Sequence, residues 1–315
     1  MCFRISTLLL GLLPRSGVCS MAGYKRMKRA ENCTVSHNEA ALHPVASFAD
    51  ATRHIDRLFA NSHCNDVYLD VGTNIGVQIR KLLEPHLYPK ASSLRFFEDA
   101  YGPPPRYSVC VIGFEPNPYH NQRLNQLQAE LNQVGFSVLI LPVGAGVSQG
   151  RLTFKKLQPT NWGCDALGIS FAATSTSVQN QKGSLTTAPV LSFADVLDHI
   201  IRRRSSGRRA VVAMKLDPEG AEDGIVHALL DRNLMCGVHS LYVEFHDKTT
   251  GLSAEKRRSI AYAKLRLEQY VLTIKRNESA RAAGCLATTM AKIDDESYEL
   301  DGNPWPSQQG KSDGL

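Results

Sequence analysis

Short apolar runs recur along the chain, and each is followed by glycine, proline or polar residues. We predict five β-strands from these runs, at residues 67–71, 109–114, 138–143, 211–216 and 241–246. Between the runs, apolar residues recur every three or four positions, which is typical of amphipathic helices. Alternation of strands and helices predicts an α/β domain built on a mostly parallel sheet.

Two regions depart from this alternation. Residues 88–107, with a run of prolines at 103–105, are predicted to form an insertion or a long loop. Residues 150–190 are predicted to contain an edge strand at 151–155, and then a loop rich in Ser, Thr and Gly. Residues 270–274 and 292–300 are expected to supply the last strands of the sheet, in antiparallel orientation.

The net charge of +6 comes from the beginning of the chain. Residues 1–30 hold six of the 36 basic residues and no acidic residue, so the remaining 30 basic residues balance all 30 acidic residues. A neutral body has no surface suited to following a phosphate backbone, so we expect no nucleic-acid partner. With 43% hydrophobic residues in 315, the chain is long enough for one large domain.

Residues 1–45 are interpreted as an N-terminal extension. Their basic, acid-free beginning resembles an organellar or secretory targeting segment, although an extension before a start at Met21 fits equally well. The compartment therefore stays open. No apolar run approaches the length of a transmembrane helix, so no membrane crossing is expected. Residues 301–315 are polar and are predicted to be a disordered tail.

The eight cysteines are scattered and contain no C-x-x-C pair. A disulfide framework is therefore not expected, and Cys110, inside an apolar strand, is interpreted as a buried free thiol. Zinc-finger spacing is also absent, and no metal site is predicted.

A glycine-containing turn follows the first predicted strand, with the pattern Asp70-x-Gly72-x-Asn74-x-Gly76. A strand, a glycine turn and a helix bind nucleotide-like ligands at the carboxyl edge of a sheet. The spacing differs from the G-x-G-x-x-G pattern of dinucleotide sites. An ordinary tight turn between strand and helix is the alternative interpretation.

Polar residues also follow three other predicted strands. Glu115 and Asn117 follow the second strand, and a carboxylate there can accept hydrogen bonds from both hydroxyls of a ribose. Further polar side chains lie at the ends of the fourth and fifth strands: Lys215, Asp217, Glu219, Glu244 and His246. Carboxylates and histidine can take a proton at neutral pH, although Lys215–Asp217 or Glu222–His246 ion pairs would be purely structural.

Together these segments resemble the FkbM-type family of S-adenosylmethionine-dependent methyltransferases. The resemblance covers residues 65–247, and its motifs are Asp70–Gly76, Phe114–Pro118, Gly150–Phe154, Pro189–Leu197, Lys215–Glu222 and Glu244–His246. It implies a Rossmann-like class I methyltransferase domain over residues 46–300, with a mostly parallel seven-stranded sheet and helices on both faces. Two departures, Pro218 and the insertion at residues 88–107, affect the acceptor side of the expected pocket.

The resemblance also implies S-adenosyl-L-methionine as cofactor and a small-molecule or glycan hydroxyl as methyl acceptor. The cofactor would contact Asp70, Gly72, Asn74, Gly76, Glu115 and Asn117. The expected catalytic residues are Lys215, Asp217, Glu219 and His246. Two alternatives stay open: N-methylation of nucleic acid, which Asp217-Pro218 weakly suggests, and a catalytically silent binding protein.

Overall fold

A computed structural model describes most of the chain between residues 44 and 278, together with three short strands beyond it. The described residues are 44–62, 64–118, 120–155, 185–204, 210–247, 252–278, 289–290, 299–300 and 303–304. The predicted targeting segment, the loop at 156–184 and most of the predicted tail lie outside them.

Strands and helices alternate through the described residues as the apolar pattern predicts. In chain order the strands are β1 (Asp66–Val71), β2 (Val109–Phe114), β3 (Ser137–Leu141), β4 (Gly144–Gly146), β5 (Gly150–Lys155), β6 (Leu185–Ser192), β7 (Val212–Leu216), β8 (Ser240–Val243), β9 (Thr289–Met290), β10 (Glu299–Leu300) and β11 (Asn303–Pro304). The α-helices are α1 (Phe48–Asn61), α2 (Val77–Leu83), α3 (Ser93–Tyr101), α4 (Asn121–Gln133), α5 (Phe193–Arg204), α6 (Glu222–Asp231) and α7 (Ala254–Arg276).

The central sheet has the order β3-β2-β1-β7-β8-β9, and all its neighbouring strands are parallel. The chain builds outward from β1 through β2 to β3 and then returns to place β7 on the other side of β1. This reversal of order is the arrangement of doubly wound α/β sheets, in which the carboxyl ends of the two central strands leave a crevice.

The seven-stranded sheet expected from the family resemblance is a wrong prediction for the described residues, which form five full parallel strands and the two-residue β9. Residues 270–274, expected as a strand, continue α7 because Leu267, Val271 and Ile274 bury one helical face. In the range 292–300, only β10 is described, and it pairs antiparallel with β11 in a separate sheet.

The interruptions of the alternation also differ from expectation. The predicted long loop at residues 88–107 contains α3, whose Phe96 and Phe97 are buried in the core. Residues 144–146 form strand β4, which joins β5 and β6 in a small sheet of order β4-β6-β5. The edge position predicted for residues 151–155 is confirmed, since β5 pairs antiparallel with β6 alone.

Helices cover both faces of the central sheet, as predicted. Successive residues of a strand point to opposite faces, so Val67 and Leu69 belong to one apolar core and Tyr68 to the other. The first core includes buried residues of α1, α5, α6 and α7, and the second includes those of α2, α3 and α4. None of the described helices combines the length and the apolarity needed to cross a bilayer.

Cys110 is not the free thiol that its apolar context suggested. It forms a disulfide with Cys64, across a Cα–Cα distance of 5.3 Å. The two cysteines meet because β1 and β2 are neighbours, with Val67 opposite Cys110. The disulfide therefore ties the segment before β1 to the second strand.

Candidate functional site

The turn after β1 depends on three residues with left-handed backbone conformation: Gly72 (φ 81°), Asn74 (φ 53°) and Gly76 (φ 86°). A Cβ atom on Gly72 would overlap the carbonyl oxygen of Asp217, and one on Gly76 would overlap the side chain of Leu127. Both glycines are therefore required by internal packing as well as by φ. Gly76 contacts α4 rather than the sheet edge.

Glu115 joins the turn after β1 to the turn after β2. Its Oε2 accepts a hydrogen bond from the backbone N–H of Asn74 at 2.7 Å, and its Oε1 accepts one from the N–H of Asn117 at 2.8 Å. The residue is only 3% exposed. The Asn117 side chain in turn contacts Nε2 of buried His120 at 3.2 Å. Glu115, the residue predicted to bind the ribose, is thus already part of a hydrogen-bond network.

Asp70 lies beneath this turn and is fully buried. The hydroxyl of Tyr68 is 3.5 Å from Oδ1 of Asp70. The backbone carbonyl of Asp70 accepts a hydrogen bond from the Thr73 hydroxyl at 2.8 Å. Asp70 therefore supports the turn from below, and Gly72 and Asn74 are its partly exposed residues.

Lys215 connects the end of β7 to the same turn. Its Nζ donates to the carbonyl of Gly72 at 2.9 Å and lies 2.9 Å from Oδ2 of Asp217. The Lys215–Asp217 ion pair that the sequence suggested is therefore present. Burial raises the pKa of Asp217, Lys215 opposes that shift, and the negative charge of Glu244 adds to it. Oδ1 of Asp217 accepts no hydrogen bond from the described residues.

His246 lies between three acidic side chains. Its Nδ1 is 3.0 Å from Oε1 of Glu222, and its Nε2 is 3.1 Å from Oε2 of Glu219 and 3.7 Å from Oδ1 of Asp217. The hydrogen bond to Glu222, opposed by burial and helped by the nearby carboxylates, raises the pKa of His246 to about 9. The Glu222–His246 pair suggested by the sequence is also present.

Glu219 is the most exposed member of this group, with half of its side chain accessible. It has a left-handed backbone conformation (φ 57°), which turns the chain after β7 towards His246. Burial raises its pKa to about 7; His246 opposes that shift, and Asp217 and Glu222 add to it. Its carboxylate is therefore strongly coupled to its neighbours.

Three residues of this edge were not singled out from the sequence. The Tyr242 hydroxyl donates to Oε2 of Glu244 at 3.0 Å, and burial raises the pKa of Tyr242. Tyr242 and Glu244 are two residues apart in a strand and so lie on one face, which could have indicated this pair. Lys256 donates to the carbonyl of Gly220 at 2.7 Å and fixes the turn after β7 from α7. His120 beside Asn117 is the third, and its position after Pro118 gave no signal.

The ten predicted site residues, together with Glu222 and Glu244, thus lie at or after the carboxyl ends of β1, β2, β7 and β8. They form two groups. The turn half comprises Asp70, Gly72, Asn74, Gly76, Glu115 and Asn117. The carboxylate half comprises Lys215, Asp217, Glu219, Glu222, Glu244 and His246. Lys215 joins the two halves through the Gly72 carbonyl.

The protein is therefore an α/β protein with a doubly wound parallel sheet. Polar side chains converge at the carboxyl edge of this sheet, where the strand order reverses. Comparison of the chain with protein-family models, with curated proteins and with solved structures finds no match.

Proposed function

We propose that the protein is an S-adenosylmethionine-dependent methyltransferase that methylates a hydroxyl oxygen of a small molecule or glycan. The observation that carries this proposal is the meeting of Gly72, Glu115 and Asp217 at the reversal of strand order. Ligands of doubly wound sheets bind at this crevice. The order of motifs along the chain, which resembles FkbM-type methyltransferases, supports the same assignment.

The turn half has a donor and acceptor set that fits the nucleoside part of the cofactor. A carboxylate has about four acceptor positions, and the amides of Asn74 and Asn117 use two of those on Glu115. The other two would accept the ribose hydroxyls. Gly72 and Asn74, both partly exposed, would lie beside the amino-acid end. The neighbouring carboxylates favour its ammonium and sulfonium charges.

The carboxylate half has the groups that an acceptor hydroxyl needs. When bound, S-adenosylmethionine supplies an electrophilic methyl group, and the chain's own residues would orient the acceptor and take its proton. Glu219, which is half exposed, is the accessible group that would take the proton. His246, which is protonated at pH 7 because its pKa is about 9, would orient the acceptor, and buried Lys215 would hold Asp217 in position. Most of the rate acceleration would come from alignment of the acceptor oxygen with the methyl group.

Isothermal titration with S-adenosylhomocysteine tests the cofactor assignment. We expect saturable binding to the full chain, and a loss of affinity of about 10-fold or more for Glu115→Gln, because the charged acceptor of the ribose hydroxyls is removed. Glu98→Gln, on the exposed face of α3, is the control and should bind like the unmodified protein.

Absence of binding by the unmodified protein would contradict the proposal and favour a silent fold that serves another ligand. Equal affinity of the Glu115→Gln and Glu98→Gln variants would contradict the ribose role. Circular dichroism of each variant verifies that it is folded. Transfer of label from radioactive cofactor to glycans or hydroxylated small molecules then defines the acceptor class.

A further inference from the structure

Three side chains of the carboxylate half are spaced like the ligands of one metal ion. One donor atom from each of Asp217, Glu219 and His246 lies within 4.8 Å of the others. Nε2 of His246 is 3.1 Å from Oε2 of Glu219 and 3.7 Å from Oδ1 of Asp217. An octahedral ion with ligands at about 2.1 Å separates adjacent donors by about 3 Å and opposite donors by about 4 Å. The three side chains therefore need little movement to surround an ion.

The contact on the other side of the imidazole ring fixes its orientation. Nδ1 of His246 is 3.0 Å from Oε1 of Glu222, whose side chain is fully buried. Histidines that bind metals commonly donate their second ring N–H to a carboxylate in this way. The other ring nitrogen, Nε2, faces Asp217 and Glu219, and a bound ion would replace the proton on this nitrogen.

A buried oxygen at the same point lacks a hydrogen-bond donor. The Asp217 side chain is 9% exposed, and Lys215 contacts its Oδ2 at 2.9 Å. Oδ1 accepts no hydrogen bond from the described residues, and this is the oxygen that faces Nε2 of His246. Burial of a carboxylate oxygen without a partner is unfavourable, and a cation would supply the missing partner.

We propose that Asp217, Glu219 and His246 bind a divalent cation of the Mg²⁺ or Mn²⁺ type. Two carboxylates suit these hard cations, and the buried Glu222 would act as the group that orients the histidine. The sequence predicted no metal site because its zinc-finger spacings are absent. The ligands proposed here come together only through the adjacency of β7 and β8 and the turn at Glu219.

The exposed side of Glu219 leaves the remaining coordination positions open towards solvent. Resting on the proposed methyltransferase function, we infer an acceptor with two neighbouring oxygen atoms, such as a vicinal diol, that binds the ion through both. The cation would lower the pKa of the coordinated hydroxyl and hold its oxygen in place. With Glu219 and His246 bound to the ion, the hydroxyl proton would pass to water, the methyl group would move from the sulfonium to the oxygen, and S-adenosylhomocysteine would leave. The substrate class is then an oxygen chelator rather than an isolated alcohol.

Titration of the chelator-treated full chain with Mn²⁺ tests the site, with free Mn²⁺ measured by electron paramagnetic resonance. We expect saturable binding of one ion per chain. Glu219→Gln and His246→Gln should each weaken binding by about 10-fold or more, because each removes one of three ligands. Asp247→Asn is the matched control, since this exposed acid next to His246 pairs with Lys264 instead.

Absence of saturable binding, or equal binding by the Glu219→Gln variant and the control, would overturn the proposal. Glu219 is half exposed, so its variant is informative even if His246→Gln does not fold. Binding of S-adenosylhomocysteine without Mn²⁺ binding would remove the metal site and leave the methyltransferase function. Mn²⁺ binding through these ligands without S-adenosylhomocysteine binding would contradict the methyltransferase function and leave the metal site.

Discussion

The carboxylates of the two halves of the candidate site are stabilised in different ways. In the turn half, the two oxygens of Glu115 each receive a backbone N–H. In the carboxylate half, Asp217, Glu219 and Glu222 all contact His246, and Oδ1 of Asp217 accepts no hydrogen bond from the described residues. Backbone donors thus stabilise the charge of Glu115. In the carboxylate half, neighbouring negative charges repel one another, and such repulsion is typical of a site that binds a ligand.

Substitution of Gly72 by alanine should have the largest effect on stability. The new Cβ would overlap the Asp217 carbonyl oxygen, and the φ of 81° is unfavourable for alanine. Overlap and backbone strain together should lower the free energy of unfolding by about 3–4 kcal/mol. Urea denaturation of the two proteins at pH 7 measures this difference.

Gly135→Ala separates the two causes. Gly135 also has a positive φ, of 97°, but a Cβ there would meet only the Tyr107 ring, at an ordinary contact distance of 3.8 Å. It should therefore cost only the backbone term, about 1 kcal/mol. Equal losses for the two variants would show that the turn half does not pack against β7 as closely as described.

Glu115→Gln should have the next largest effect on stability. The glutamine side chain has only one acceptor oxygen, so its NH₂ group must face either the Asn74 or the Asn117 amide. Loss of one of these buried hydrogen bonds, and of the charge that strengthens the other, should lower the free energy of unfolding by about 2 kcal/mol.

Glu219→Gln provides the comparison in the carboxylate half. Its carboxylate is half exposed, and burial and neighbouring acids disfavour its charged form. In metal-free protein, a neutral amide there should change the free energy of unfolding by less than about 0.5 kcal/mol. A loss as large as that of Glu115→Gln would contradict the contrast between the two halves.

The sequence was sufficient to predict which residues lie at the carboxyl edge of the sheet, because parallel strands bring their carboxyl ends together. The positions of the strands and of the glycine turn could also be predicted, because they depend on the local pattern of residues. The contact of His246 with Glu219 could not, because it depends on the pairing of β7 with β8 and on a left-handed residue that is not glycine. Non-local pairing also hid the disulfide, whose cysteines are 46 residues apart.

The errors at residues 88–107 and 270–274 have a different cause. Prolines at 103–105 indicated a loop and hid the helical pattern of α3, in which Phe97 is buried. Residues 270–274 include Tyr270, Val271 and Ile274, which favour strands by propensity. Burial of Val271 and Ile274 against the core determined a helix instead, so tertiary packing outweighed local preference.

Lys256→Met, which removes a contact that supports the carboxylate half, should have an effect between those of Glu115→Gln and Glu219→Gln. Lys256 on α7 lies 2.5 Å from Oδ1 of Asp223, and only 5% of the Asp223 side chain is exposed. Burial alone would raise the pKa of Asp223, but hydrogen bonds from Lys256 and Ser259 and the charge of Lys256 lower it overall. A pKa lowered by folding means that this pair stabilises the fold above about pH 4.

We therefore expect Lys256→Met to lower the free energy of unfolding by about 1–2 kcal/mol at pH 7, because Asp223 keeps its buried charge without its main partner. The difference should shrink as the pH falls through the lowered pKa, where Asp223 becomes neutral in both proteins. Lys264→Met is the control, since Lys264 and Asp247 are 38% and 41% exposed and should contribute less than about 0.5 kcal/mol. A loss that persists at pH 2 would mean that Lys256 acts through its bond to the Gly220 carbonyl instead, by holding the turn that carries Glu219.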